Sequence, residues 1–208
     1  MDPTAALLTG LTVGLVIAMQ VGAVSLLLVE AAVVSGARAG VAAGIGVATA
    51  DLAFAAIAVA AGGAAGAKLA SHEHEIRLIA AFALAAVAIA GLVGLIRSGA
   101  PAHGPTPHDP ARDASAAAHY ARFLAITAAN PLTIVSFAAV AATLSLDGSG
   151  AATAFVAGVG LASTAWHVML ALAAGHAGRW LTPRVRRGLA IGGRIGVLAI
   201  AARIALGA

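Results

Sequence analysis

Six apolar stretches run through this chain, and each is about as long as a bilayer is thick. A helix that crosses the hydrocarbon layer needs roughly 20 predominantly apolar residues. The stretches are residues 5–29, 39–62, 78–96, 123–144, 151–174 and 189–206. Charged residues make up 10% of the chain, against about 25% in a soluble domain, which is too few to cover a soluble surface. The pattern predicts an all-α membrane protein with six transmembrane helices.

Lysine and arginine are distributed unevenly between the predicted loops. Eight arginines follow the first, third and fifth stretches, whereas Lys68 and Arg77 lie between the second and third. Loops rich in Lys and Arg stay in the cytoplasm. We therefore expect a multi-pass protein of the cell inner membrane with both termini extracytoplasmic. The basic residues form no long run, so nucleic acid is not an expected partner.

One long connection, residues 97–120, divides the chain. It carries four prolines, Pro101, Pro105, Pro107 and Pro110, among small and polar residues. Such a composition is typical of a flexible linker, here a cytoplasmic one. It separates a first half, residues 1–96, from a second half, residues 121–208, with three apolar stretches in each. Because the halves start on opposite sides of the membrane, they are predicted to be two inverted three-helix repeats.

Asp51 is a carboxyl group near the midpoint of the second stretch. Gly36, Gly40 and Gly44 precede it at helical spacing, and small residues on one face let another helix approach closely. Asp51 is therefore predicted to face a packed interface or a cavity. Since acids inside a membrane are costly and usually functional, our hypothesis is a proton-coupling site. The alternative is a structural carboxyl that pairs with Arg194 or bonds across helices.

The fourth stretch contains an Asn130-Pro131 pair in apolar surroundings. Pro131 lacks the N–H that would bond the carbonyl of Thr127, so it is predicted to break the helix. Asn130 supplies an amide beside the break, and Thr127 and Thr133 lie on adjoining faces. Together these groups offer donors and acceptors to a zwitterionic ligand. For Pro131, a packing kink without ligand contact is the alternative.

The first stretch is weakened at a comparable place by Gln20-Val21-Gly22-Ala23. Glycine loosens a helix far less than proline, so only a mild interruption is expected. Breaks at corresponding positions of two halves indicate a site at the midplane of the bilayer. Gln20 and Gly22 are therefore predicted to face the Asn130 break. For Gln20, a hydrogen bond between helices without a site role is the alternative.

Neither an enzyme nor a cofactor protein is expected. The chain has no cysteine, which removes thiolate metal sites and iron–sulfur clusters, and no phosphate-binding or hydrolase motif occurs. His72, Glu73, His74 and Glu75 form an alternating turn that is able to bind divalent metals, although a solvated loop explains it equally. No metal site is assigned. His167 in the fifth stretch is interpreted first as a packing residue and second as a proton relay.

Three segments resemble the LysE/RhtB family of small amino-acid exporters. They are GARAGVAAGIGVATADLAFAAIA at 36–58, AANPLTIVSFAAV at 128–140 and GLIRSGAP at 94–101. Asp51 matches the acid that ends the family's Gly-rich second helix, and Asn130-Pro131 match its fourth-helix motif. Val21-Gly22-Ala23 stand where the family usually has Pro-Gly-Pro, and Gly192-Gly193 where Asn-Arg is common.

The resemblance implies secondary export of amino acids or related small metabolites, driven by the proton gradient. Amino acids, protons and the lipid bilayer are then the expected partners. Relatives in the wider superfamily export metal ions, so divalent-cation export is one alternative. A non-transporting membrane assembly partner is the other. The glycine face of the second stretch suits packing within one chain or a homo-oligomer.

Overall fold

A computed structural model gives the architecture of the chain. It describes residues 1–20, 22–70, 75, 78, 81–82, 85–86, 88–90, 92–93, 115–143, 146 and 148–206. These residues form helices and no strand, as predicted. The helices are α1 (Pro3–Ala18), α2 (Ala23–Ser35), α3 (Ala37–Ala70), α4 (Ala116–Ala128), α5 (Pro131–Thr143), α6 (Ser149–Trp180) and α7 (Pro183–Leu206).

Two of these helices are long and apolar enough to cross a membrane alone, namely α3 over Ala37–Ala60 and α6 over Ser149–Trp180. The number rises to four if the bent pairs α1–α2 and α4–α5 each count as one span. The predicted third stretch, 78–96, lies largely outside the described residues. A membrane protein built of helices is thus supported, while six spans and an inverted repeat stay predictions.

The predicted linker ends earlier than expected. Residues 97–114 lie outside the described part of the chain, but residues 116–120 are already the first turns of α4. Ser115 begins this helix, because its side chain accepts a hydrogen bond from the N–H of Ala118 at 3.2 Å. A serine in this position stabilises a helix start.

The first apolar stretch is broken more sharply than glycine alone predicts. Helix α1 ends at Ala18, α2 begins at Ala23, and their axes differ by 75°. The chain continues from Met19 through Gly22, whose backbone is extended (φ −135°, ψ −172°). Local partners satisfy the backbone groups of Gln20: its N–H donates to the Ile17 carbonyl at 3.1 Å, and its carbonyl accepts from the Ser25 hydroxyl at 3.2 Å. Because these groups are bonded, a full break is tolerated in apolar surroundings.

The break at Asn130-Pro131 occurs where the sequence predicts it. Helix α4 ends at Ala128, α5 begins at Pro131, and the pair is bent by 60°. The carbonyl of Thr127, which Pro131 leaves without its usual donor, accepts from the N–H of Asn130 at 3.0 Å. Pro131 occupies the first helical position, where a missing N–H costs nothing.

Helices α3 and α6 are the two long straight elements around which the broken helices pack. Helix α3 packs against α4, α5 and α6, while α6 also packs against α1 and α2. Glycine makes the closest approaches possible. A Cβ atom on Gly44 of α3 would lie 3.1 Å from the carbonyl oxygen of His167 on α6, and one on Gly158 would lie 2.5 Å from that of Leu7 on α1.

Among the described residues, the core consists of two large apolar clusters and a small one formed by Ala32, Val33 and Ala174. The α1 cluster contains the buried residues Ala6, Ile17, Ala55, Phe137, Ala151, Phe155 and Val159. The α2 cluster contains the buried residues Ala23, Val24, Leu27, Leu28, Ala43, Val47, Ala88, Phe123, Ile126, Ala171, Val197 and Ala201. Four elements, α1–α2, α3, α4–α5 and α6, each contribute residues to both large clusters. Along each element, a segment with polar side chains separates the residues of one cluster from those of the other. The two clusters therefore bracket a polar layer.

The glycine contact between α1 and α6 predicts that glycine-to-alanine substitutions at two positions change the melting temperature in opposite directions. Alanine is favoured over glycine inside a helix by roughly 0.5–1 kcal/mol. Gly188→Ala in α7, where no atom lies within 4 Å of a new Cβ, should therefore raise the melting temperature of the purified protein. Gly158→Ala should lower it, because the Leu7 backbone blocks the methyl group. Equal effects of the two substitutions would contradict this packing.

Candidate functional site

A small cavity lies between the two clusters, at the level of both helix breaks. Its volume is about 30 Å³, and one water needs about 10–15 Å³ of such space, so it has room for about two waters. Its lining residues are Ile17, Ala18, Gln20, Gly22, Val24, Ser25, Val47, Asp51, Thr127, Asn130, Thr133 and His167. Polar side chains from several helices thus converge on one small space in the apolar bundle.

Six of the seven residues predicted to form a site line this one cavity. They are Gln20, Gly22, Asp51, Thr127, Asn130 and Thr133. The seventh, Pro131, is the first residue of α5 and so marks the break beside Asn130. The sequence separates these positions widely, and the packing of α3 between the two broken elements brings them together.

The two breaks are connected by side-chain hydrogen bonds. The Gln20 amide nitrogen donates to the Ser136 hydroxyl at 3.3 Å, and the Gln20 amide oxygen lies 3.5 Å from the same hydroxyl. The Asn130 amide nitrogen donates to the Thr133 hydroxyl at 2.8 Å. Gln20 therefore joins α1–α2 to α5, which fits the alternative of a hydrogen bond between helices as well as a place in the cavity wall.

Asp51 is buried, with 3% of its surface exposed, and it bonds to a neighbour on α6. The Ser163 hydroxyl donates to the Asp51 carboxylate at 2.6 Å. Nδ1 of His167 lies 2.9 Å from the Ser163 carbonyl oxygen and 3.2 Å from its hydroxyl oxygen. Since a carbonyl only accepts, Nδ1 carries a proton. The order of donors therefore runs from His167 through Ser163 to Asp51.

Arg194 is not the partner of Asp51, contrary to one alternative considered above. Its guanidinium lies 2.6 Å from a carboxylate oxygen of Glu30 on α2. The two side chains are 14% and 10% exposed, so this is a largely buried ion pair. Helix α7 packs against α2 at this point, and their pairing leaves Asp51 to the serine on α6.

Four polar residues of this region were missed by the sequence reasoning. Ser25, Ser136 and Ser163 carry no signal of their own, because serine is an ordinary helix residue whose partner depends on the fold. Glu30 had a signal, since it is an acid within a long apolar run, SLLLVEAAVV. It falls one residue past the predicted first stretch, where a charge is inexpensive. In the structure α2 continues beyond it to Ser35.

The alternating His72–Glu75 turn falls largely outside the described residues, so its role as a metal site stays untested. Among the residues that the structure does describe, no group of three or more His, Asp or Glu side chains is arranged to hold a metal ion.

The ion pair between Glu30 and Arg194 predicts that a single substitution destabilises the protein more than the double substitution does. Removing one partner of a buried pair leaves an uncompensated charge and costs about 3–5 kcal/mol. Arg194→Gln should therefore destabilise the protein strongly, and the double variant Glu30→Gln/Arg194→Gln should recover much of that loss. The melting temperature in lipid nanodiscs is the measurement. A double variant no more stable than Arg194→Gln would contradict the assignment.

One comparison with known proteins gave a match, and it covers almost the whole chain. A family model described as LysE type translocator matches residues 15–206. The match includes both helix breaks and every residue that lines the cavity. Comparison with curated proteins and with solved structures gave no match.

Proposed function

Because the chain belongs to the LysE type translocator family, and is thus a membrane translocator, we propose that it is a secondary transporter. It exports amino acids or related small metabolites across the inner membrane, in exchange for protons. The observation that carries this proposal is the cavity between two broken helices, with one buried carboxyl group in its wall. Discontinuous helices at the midplane supply backbone and side-chain groups to a solute where a continuous helix offers none.

Asp51 is the coupling residue in this proposal. Among the described residues its side chain bonds to Ser163 and forms no ion pair. An ionised carboxylate buried without a cation is costly, so a proton or the ammonium group of a substrate neutralises it. The proton and the ammonium group cannot occupy the same carboxylate at the same time. Such competition is what an exchanger of amine for proton requires, because each occupant displaces the other.

His167 is the second proton carrier. Its Nδ1–H lies within bonding reach of the Ser163 hydroxyl, and that hydroxyl donates to Asp51. A protonated His167 can therefore pass its Nδ1 proton to Ser163 while Ser163 passes its own to Asp51, which leaves a neutral imidazole and a neutral carboxyl. This is the second of the two interpretations considered for His167, and its bond to the Ser163 carbonyl also fits the first, a packing residue.

Transport requires that the α1 cluster and the α2 cluster open alternately, each toward one side of the membrane. In this proposal each cluster closes one side of the cavity. In the full proposal the chain has six spans in two inverted three-helix halves. The arginine-rich loops are cytoplasmic and both termini are extracytoplasmic. The half that contains α1–α2 then moves against the half that contains α4–α5.

Asp51→Asn tests the coupling role. The variant keeps the hydrogen bond to Ser163 but cannot exchange a proton, so proton-driven export should be abolished while the protein still inserts in the membrane. Efflux of radiolabelled amino acids from cells, at matched membrane abundance, is the measurement. Leu52→Asn, on the exposed side of α3, is the matched control and should retain export.

The same assay in proteoliposomes separates the alternatives. Amino acids and divalent metal salts are tested side by side with purified protein. Export of metal but not of amino acids would replace the amino-acid proposal with divalent-cation export. Absence of flux for both would favour a non-transporting assembly partner. Normal amino-acid efflux by Asp51→Asn would remove Asp51 from the mechanism.

A further inference from the structure

The first turn of α2 opens on the cavity without a side-chain cap. Gly22 precedes this 13-residue helix and has no side chain to accept from it. Its first bond is from the Leu26 N–H to the Gly22 carbonyl, and among the described residues the N–H groups of Ala23, Val24 and Ser25 have no acceptor. Gly22, Val24 and Ser25 line the cavity. Unbonded N–H groups and the helix dipole together favour an anion at such an end.

A second observation, on a different helix, indicates the same kind of ligand. Thr127 of α4 is 1% exposed, and within the described part of the chain its hydroxyl has no hydrogen-bond partner. It lines the same cavity. A buried hydroxyl without a partner is costly, and it is able to donate to a ligand oxygen.

The wall of the same cavity also contains Asp51 of α3, which has the opposite chemistry. Asp51 is an acceptor there, whereas the α2 terminus and Thr127 are donors. A small solute with an anionic oxygen pair at one end and an ammonium group at the other complements this polarity. A metal cation does not, because helix N-terminal N–H groups repel positive charge.

We propose that the uncapped N-terminus of α2 at Gly22, together with the Thr127 hydroxyl, binds the carboxylate of an amino-acid substrate whose ammonium group faces Asp51. This inference rests on the proposed transport function and adds the residues that recognise the carboxylate. The cavity as described is too small for an amino acid, so the carboxylate reaches the α2 terminus when the clusters part.

Two substitutions at Gly22 that differ by one oxygen atom test the site. The extended backbone of Gly22 accepts any residue. Gly22→Ser adds a hydroxyl that caps the free N–H groups, stabilises the helix and competes with the substrate carboxylate, whereas Gly22→Ala adds no acceptor. A serine cap is worth roughly 1 kcal/mol relative to alanine, which corresponds to about a fivefold loss of exchange.

Thr127→Val removes the hydroxyl and keeps the shape of the side chain. It should reduce exchange while the melting temperature stays constant or rises, since an unbonded buried hydroxyl is lost. A merely structural threonine would give a lower melting temperature instead. Both site variants are thus predicted to lose transport without losing stability.

The assay is exchange of a radiolabelled mixture of the proteinogenic L-amino acids in proteoliposomes, with melting temperatures measured on the same preparations. Excess unlabelled amino acids should compete, and the corresponding amino-acid amides, which lack the carboxylate, should not. Loss of exchange in Gly22→Ser and Thr127→Val, with Gly22→Ala close to wild type, supports the site. Wild-type exchange in all three variants, or competition by the amides, overturns the site and leaves the transport function standing. Absence of exchange by the wild-type protein overturns both.

Discussion

The structure depends on two interrupted helices that meet inside an apolar bundle. Backbone groups released by a break need partners, because hydrocarbon offers none. At the α4–α5 break the Thr127 carbonyl accepts from Asn130, and at the α1–α2 break the Gln20 carbonyl accepts from Ser25. Side-chain amides and hydroxyls from both breaks line one small space, among them those of Gln20, Asn130 and Thr127. The breaks therefore create a polar layer that an unbroken bundle of this composition would lack.

The frame that holds the breaks together is made of small residues. Helices α3 and α6 approach closely at Gly44, and α1 and α6 do so at Gly158. Such close approach fixes the register that sets Asp51 opposite Ser163 and His167. The α1 and α2 clusters lie on either side of this register along the helices. Under the proposed function, one cluster loosens while the other holds, so that the site is exposed to one side of the membrane at a time.

The sequence indicated which residues would lie together where a residue was costly in apolar surroundings. Asp51 and Asn130 are both unfavourable in a membrane helix, and both line the one cavity, while Pro131 marks the helix break beside it. The sharpness of the first break did not follow, because glycine permits a bend without requiring one. Its partners, Ser25 and Ser136, are ordinary residues whose role depends on tertiary contacts.

The sequence also did not predict which acid pairs with Arg194. Arg194 has two acids within the apolar segments as candidate partners, and only the packing of α7 against α2 selects Glu30 over Asp51. Asp51 therefore has no cation partner among the described residues, and this is the state that the proposed coupling role requires. Ser163 was missed for a related reason: its position four residues before His167 matters only because α3 presents a carboxylate there.

The central claim, that the cavity between the breaks is the transport path, can be tested by chemical labelling. The chain has no cysteine, so a single Ser25→Cys variant reports on the cavity alone, with Ala55→Cys in the α1 cluster as the buried control. During exchange in proteoliposomes a membrane-impermeant thiol reagent should modify Ser25→Cys from either face of the membrane and leave Ala55→Cys unmodified. Protection of Ser25→Cys from the reagent on both faces during active exchange would contradict the account.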